Sequence, residues 1–194
     1  MKVHVLLSFG VLMLFARSAK AQQATAATSH DLDDAYQIYS LLLPFEEAYD
    51  FAKGTLVIQQ DTVASQAVGK PCLTTEAAER FKDAIANFEE ENRKPVLLQR
   101  QFQIDKPYEL VSAEAINVYF KDDGGGWDGF YRRYPDSGGY IVLSAVGFGK
   151  DKTTAIVYTG SGCGGLCGRW GLHLLEKVGG KWKAVRGVTC VTVS

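Results

Sequence analysis

The last third of the chain changes its hydrophobic period from helical to strand-like, and that change limits the possible folds more than any other feature. Tyr140 to Phe148 (YIVLSAVGF), Thr153 to Thr159 (TTAIVYT), Arg169 to Val178 (RWGLHLLEKV) and Lys181 to Val191 (KWKAVRGVTCV) all read as strands. The connections between them are short. Gly149-Lys150-Asp151-Lys152 is turn material, and Gly179-Gly180 is a two-residue hairpin link. Strands joined so closely predict an antiparallel meander, one face of which needs a cover.

The segments upstream supply that cover. Leu32, Ala35, Tyr36, Tyr39 and Leu43 recur at helical spacing after Asp31, and Pro44 is expected to stop or kink this helix. Phe45 to Ala52 reads as a second short helix and Thr55 to Val63 as a strand. The clearest helix follows Pro71-Cys72-Leu73, with Thr75 as its cap and Ala78, Phe81, Ile85 and Phe88 as its apolar stripe. Val96 to Tyr108 fits either a short helix or an irregular segment. Ser112 caps a helix through Phe120, Lys121 to Gly129 (KDDGGGWDG) is a loop, and Phe130 to Pro135 is a compact aromatic segment. The expected class is α+β, with helices in the N-terminal two thirds packed on one face of a C-terminal four-stranded antiparallel meander.

Compartment follows from the start of the chain. Lys2 precedes an apolar run from Val5 to Phe15, and Ala19-Lys20-Ala21 provides small residues for cleavage before Gln22. Such a run is far shorter than the roughly 20 residues of a bilayer span. Residues 1–21 are therefore expected to be a signal peptide, 22–30 a disordered lead and 31–194 a single domain, exported to the periplasm or beyond and without a membrane span after cleavage. Losing Lys2, Arg17 and Lys20 takes the formal charge of −1 to a more acidic value. That balance argues against a nucleic-acid partner, which needs a basic face.

An even number of cysteines in an exported chain favours disulfides over thiols. Cys163 and Cys167 share the glycine-rich stretch GSGCGGLCGRWG (Gly160 to Gly171) and are the natural close pair. Cys72 and Cys190 are then left for a bridge from the main helix to the last strand. Trp182 and Cys190 have the same parity in that strand, so both are expected to face the covering layer.

With these segments laid out, LSAVGF (Leu143 to Phe148), AIVY (Ala155 to Tyr158), CGGLCG (Cys163 to Gly168) and LLEKVGGKWK (Leu174 to Lys183) resemble the C-terminal signature of a family of exported bacterial proteins with no assigned activity. LVIQQDT and the Trp127 to Pro135 segment are similar to that family as well. At its end the chain departs from the pattern, reading Cys190-Val191-Thr192-Val193-Ser194 where a tryptophan is expected. The resemblance implies export and fold, and no mechanism.

Candidate chemistry is sparse. Gly160 to Gly165 fits the letters G-x-G-x-x-G, but a dinucleotide site needs a helix after the motif, and a strand follows here. Asp122, Asp123 and Asp128 surround a glycine run, where adjacent acids are turn residues more often than a hydrolytic pair. There is no G-x-S-x-G elbow, and His173 is the one histidine placed within a strand. No catalytic residue and no cofactor is implied. The expected function is a non-enzymatic exported binding or accessory module stabilised by disulfides. Trp127, Tyr131, Arg132 and Trp170 are its possible surface for a protein, peptide or carbohydrate ligand. The alternative is a thiol-redox or copper- or zinc-binding protein using Cys163, Cys167 and His173.

Overall fold

A computed structural model describes residues 29–46, 54–64, 73–121, 123–186 and 190–193. In chain order the helices are α1 (Ser29–Glu46), α2 (Thr75–Arg80), α3 (Lys82–Glu91), α4 (Ala113–Asn117) and α5 (Gly126–Arg133). The strands are β1 (Leu56–Gln59), β2 (Tyr108–Val111), β3 (Tyr140–Leu143), β4 (Gly147–Phe148), β5 (Thr154–Gly164), β6 (Cys167–Val178), β7 (Lys181–Ala184) and β8 (Cys190–Val193).

The sheet is not a four-stranded antiparallel meander. Among the described residues it has eight strands and mixed pairing, in the order β2-β1-β3-β5-β6-β7, with β4 also on β5 and β8 also on β6. β1 runs parallel to both β2 and β3, while the rest is antiparallel. The upstream half of the chain therefore contributes strands as well as helices. β1 explains why: all four of its residues, LVIQ, are buried, as a parallel strand between two covered faces requires.

Both faces are covered, which corrects the one-sided packing. On one face Tyr36, Ile38, Tyr39, Leu42 and Leu43 of α1 pack on Leu56, Ile58, Ile141, Leu143, Ala155, Val157 and Leu175. On the other face Ala77 of α2, Phe81 at the junction of the two helices, and Ala84 and Phe88 of α3 cover Ile156, Leu172 and Leu174. Beside them Ile116, Phe130 and Tyr134 of α4, α5 and the residue after it cover Val57 and Val111. The neighbours Ile156 and Val157 go to opposite layers, as strand alternation dictates.

Three local expectations change. Pro44 lies inside α1 rather than ending it. Thr74, not Thr75, caps α2, its side chain accepting from the Ala77 amide at 3.2 Å. The loop after Phe120 is shorter than its glycines suggest, because Gly126 to Gly129 belong to α5.

Position 144–146 interrupts what reads as a single strand from Tyr140 to Phe148. Leu143 pairs with Thr159 and Gly147 with Ile156, so three residues face two and β3 is separated from β4 by a bulge. One backbone bond persists, Ser144 N donating to Tyr158 O at 3.0 Å, and side chains make the other links. Ser144 Oγ accepts from Tyr158 N at 2.8 Å. Buried Asn92, after α3, accepts from Ala145 N at 2.7 Å and donates to Ala145 O at 3.1 Å. α3 also lies directly on Gly147, where a Cβ would stand 2.4 Å from Phe88 Cβ and 2.5 Å from Ala84 O.

Candidate functional site

The bulge opens a groove. α1 stands on one side of it, α3 on another, the chain at Val96 to Leu98 forms a third wall, and the β4–β5 connection closes the fourth. It encloses about 720 Å³, within the range of sites for drug-sized molecules. Its floor is core: Tyr36, Tyr39, Leu98 and Val146 are all buried. Its lip is apolar and open, with Leu32, Val96 and Leu97 exposed, Leu97 at 67%.

Charge at the rim is mixed. Asp83, Glu90 and Glu91 come from α3, Lys150 and Lys152 from the turn after β4. Lys150 Nζ lies 3.1 Å from Asp83 Oδ1 across the gap. The free edge of β4 is closed, because the Phe148 amide donates to Asn87 Oδ1 at 2.8 Å. A peptide strand adding there would have to displace that bond.

Irregular backbone forms the third wall, and α1 holds it. Tyr36 Oη accepts from Gln99 N at 2.5 Å and Ser40 Oγ accepts from Gln103 N at 2.8 Å. Tyr36, Tyr39, Phe102 and Tyr108 then pack edge to face at 5.2–5.9 Å between ring centres. Burial pushes the Tyr36 and Tyr39 hydroxyls above the ordinary phenol range. Tyr39 Oη donates to Ser144 O at 2.8 Å, tying the helix to the bulge.

α1 itself is clamped to the sheet by a buried ion pair. Asp34, 1% exposed, accepts from Lys177 Nζ at 2.7 Å and from Trp182 Nε1 at 3.0 Å. Lys177 is in register with Trp182 across β6 and β7, so both point at the helix. The groove wall is thereby fixed in place.

The residues singled out from sequence lie elsewhere. Cys163 and Cys167 are joined by a disulfide with Cα atoms 5.0 Å apart, at the tip of the β5–β6 hairpin. Trp127 and Tyr131 are on α5, and Trp127 stacks with Tyr140 at 5.7 Å and with Tyr131 at 5.8 Å. Tyr131 Oη donates to Cys163 O at 2.9 Å, which fastens the hairpin to α5. Trp170 lies on the neighbouring glycines: a Cβ at Gly160 or Gly168 would meet its ring at 2.5 and 2.3 Å, and one at Gly162 would meet Trp127 at 3.3 Å. The glycines of this stretch make room for two indoles. Arg132 is exposed, its guanidinium beside Gly125.

His173 is apart from the cysteines. It is six residues along β6 from Cys167, about 20 Å at strand rise, beyond the reach of a shared metal. Its ring nitrogen Nε2 is 2.8 Å from Thr159 Oγ1, it is 6% exposed, and burial followed by the charge of Arg169 lowers its pKa to about 4. It shares its side of β6 with Leu175 and Lys177, the side that α1 covers. Among the described residues no three His, Cys, Asp or Glu side chains converge as metal ligands would, and no helix is long and apolar enough to cross a membrane.

Cys72 lies outside the described residues, so a bridge from it to Cys190 does too, as do residues 1–28, the segment 47–53 and Asp122. The parity argument for Cys190 does change. Trp182 belongs to β7, which ends at Ala184, and Cys190 begins the separate strand β8 in register with Leu172, so a parity counted along one continuous strand does not connect the two. Comparison with protein-family models, curated proteins and solved structures finds no match to this chain.

The groove was missed in sequence for a physical reason. Its walls come from four stretches spread between Leu32 and Lys152, and three of them read as ordinary helix stripe, strand or turn. One signal was available. Val96-Leu97-Leu98 is an apolar run in a segment without regular period, flanked by Pro95 and charged residues.

Proposed function

We propose that this protein is a non-enzymatic exported binding module and that its ligand occupies the groove between α1 and α3. The observation that carries the reading is a cavity of about 720 Å³ whose apolar floor continues outward into an exposed apolar lip at Leu32, Val96 and Leu97. Soluble domains rarely leave such a continuous apolar surface open without a partner for it. Export is supported by the Cys163–Cys167 disulfide, a bond that persists in oxidising compartments. A binding role rather than catalysis is supported by the placement of His173, which is buried and bonded to Thr159.

The test is direct. An environment-sensitive apolar fluorophore is titrated into the purified chain, wild type and Ala86→Trp. Ala86 is an exposed α3 residue lining the groove, so the indole fills the site without disturbing the core. Saturable binding by the wild type, lost in Ala86→Trp at unchanged melting temperature, is the expected result. Equal binding by both proteins would remove the groove from the reading.

A further inference from the structure

Resting on that reading of the groove, we infer that its ligand is an uncharged, largely apolar molecule carrying a hydrogen-bond acceptor, a carbonyl or ether oxygen, which the Tyr36 hydroxyl recognises. Tyr36 lines the groove, and its oxygen sits at the amide of Gln99, the residue after the wall-forming Leu98. That oxygen accepts the Gln99 N–H, so the phenolic proton is turned elsewhere. Among the described residues no acceptor takes it. The contrast is Tyr39, one turn on, whose proton goes to Ser144 O. A buried hydroxyl with an unspent proton costs free energy until a partner supplies an acceptor, and the space beside Tyr36 is the groove.

The remaining chemistry narrows the class. Lys150 is paired to Asp83, and Glu90 and Glu91 stand on the same rim. An anionic ligand would face these carboxylates, and a cationic one would face Lys150 and Lys152. A peptide entering as a strand is opposed by Asn87, which holds the outward amide of β4. A compact neutral molecule meets none of these obstacles.

Three fluorescent probes test the inference: a naphthyl ketone, the naphthyl hydrocarbon of matching size and the matching naphthyl carboxylate. The ketone is expected to bind the wild-type chain about fivefold more tightly than the hydrocarbon, the yield of one neutral hydrogen bond, and the carboxylate more weakly than either. In Tyr36→Phe the ketone-to-hydrocarbon ratio should fall to about one, a ratio within one protein that cancels any general change in groove shape. A second measurement needs no variant: the carbonyl stretch of the bound ketone should be lowered relative to its value in hydrocarbon solvent. If ketone and hydrocarbon bind equally, or the stretch is unshifted, or the carboxylate binds best, the acceptor inference fails while the groove stands. If none of the three binds, the groove reading falls with it.

Discussion

The two ends of the β5–β6 hairpin solve the same packing problem in opposite ways. At the tip, Trp170 and Trp127 lie against Gly160, Gly162 and Gly168, and the aromatic rings fill the space the glycines leave. At the base, the bulge at 144–146 and the lean of α3 onto Gly147 separate the layers, and aromatic Tyr36 and Tyr39 line a gap instead of filling one. Aromatic residues close to glycine therefore mark a sealed surface in this chain, and the open site is where a helix backbone, rather than a ring, meets the glycine. The base is held by buried polar bonds and rigid backbone. The tip is held by a disulfide, one tyrosine hydrogen bond and rings that have solvent on one side.

If that contrast is right, the base should be far the more sensitive to single changes. Asp34→Ala should have the largest effect, about 3–5 kcal/mol of unfolding free energy, because it leaves the Lys177 ammonium and the Trp182 indole N–H without their carboxylate in a nearly dry site. Chemical denaturation measures the loss. α1 forms one wall of the groove, so apolar-dye binding should weaken in parallel. A loss below about 1 kcal/mol would show that the pair behaves as a surface salt bridge and that α1 is held by its apolar stripe alone.

Gly147→Ala comes next. The added methyl meets Phe88 Cβ, Phe88 N and Ala84 O at 2.4–2.5 Å, and two of these three are backbone atoms of α3 that cannot rotate away. About 3 kcal/mol of destabilisation is expected. Loss of groove binding should accompany it, since α3 must lift. A melting temperature within a degree or two of wild type would mean that α3 floats on the sheet and that the groove has no fixed width.

His173 sharpens the comparison through pH. In the fold its pKa is lowered from 6.5 to about 4 by burial and then by Arg169, so the unfolded chain takes up this proton first as pH falls. The stability due to neutral His173 is whole above pH 6.5 and is lost as pH drops towards 4, by about 3 kcal/mol over that interval at 1.36 kcal/mol per pH unit. His173→Gln, measured across the same range, should show a slope shallower by that amount. Parallel pH curves for the two proteins would contradict a buried neutral imidazole.

How far these features could be read in advance differs between the two ends. The closeness of Cys163 and Cys167, the Gly179-Gly180 turn and the Phe81, Ile85, Phe88 stripe at and along α3 all depend on residues near one another in sequence, where spacing carries the information. The parallel pairing of β1 with β2 does not. Leu56 meets Tyr108 across a connection that holds two helices, and a four-residue strand such as Tyr-Glu-Leu-Val has no period long enough to register. α5 was hidden for a different reason: Gly125 and Gly126 take positive φ and resemble a loop, yet they begin the helix that carries Trp127 and Tyr131. The groove was the least legible feature. Gly147 looks like any strand glycine until α3 is known to lie on it.

Gly160→Ala should have the smallest effect, and it decides whether the two ends really differ. On bare distance it looks as severe as Gly147→Ala, since the new methyl would stand 2.5 Å from Trp170 Cδ1 and 2.9 Å from Val142 Cγ2. What it meets, though, is the edge of a side chain 36% exposed to solvent, and that ring can swing outward about its χ angles. The cost should be about 1 kcal/mol, the strain of a displaced side chain rather than of a displaced helix. Trp170 would become wetter, so tryptophan emission should move to longer wavelength, while groove binding should be unchanged because the site is at the other end of the hairpin. A loss as large as that of Gly147→Ala, with unshifted emission, would mean that Trp170 is fixed as firmly as α3. Ring-on-glycine and helix-on-glycine packing would then be equivalent in this fold, and rigidity could no longer be what sets the groove apart.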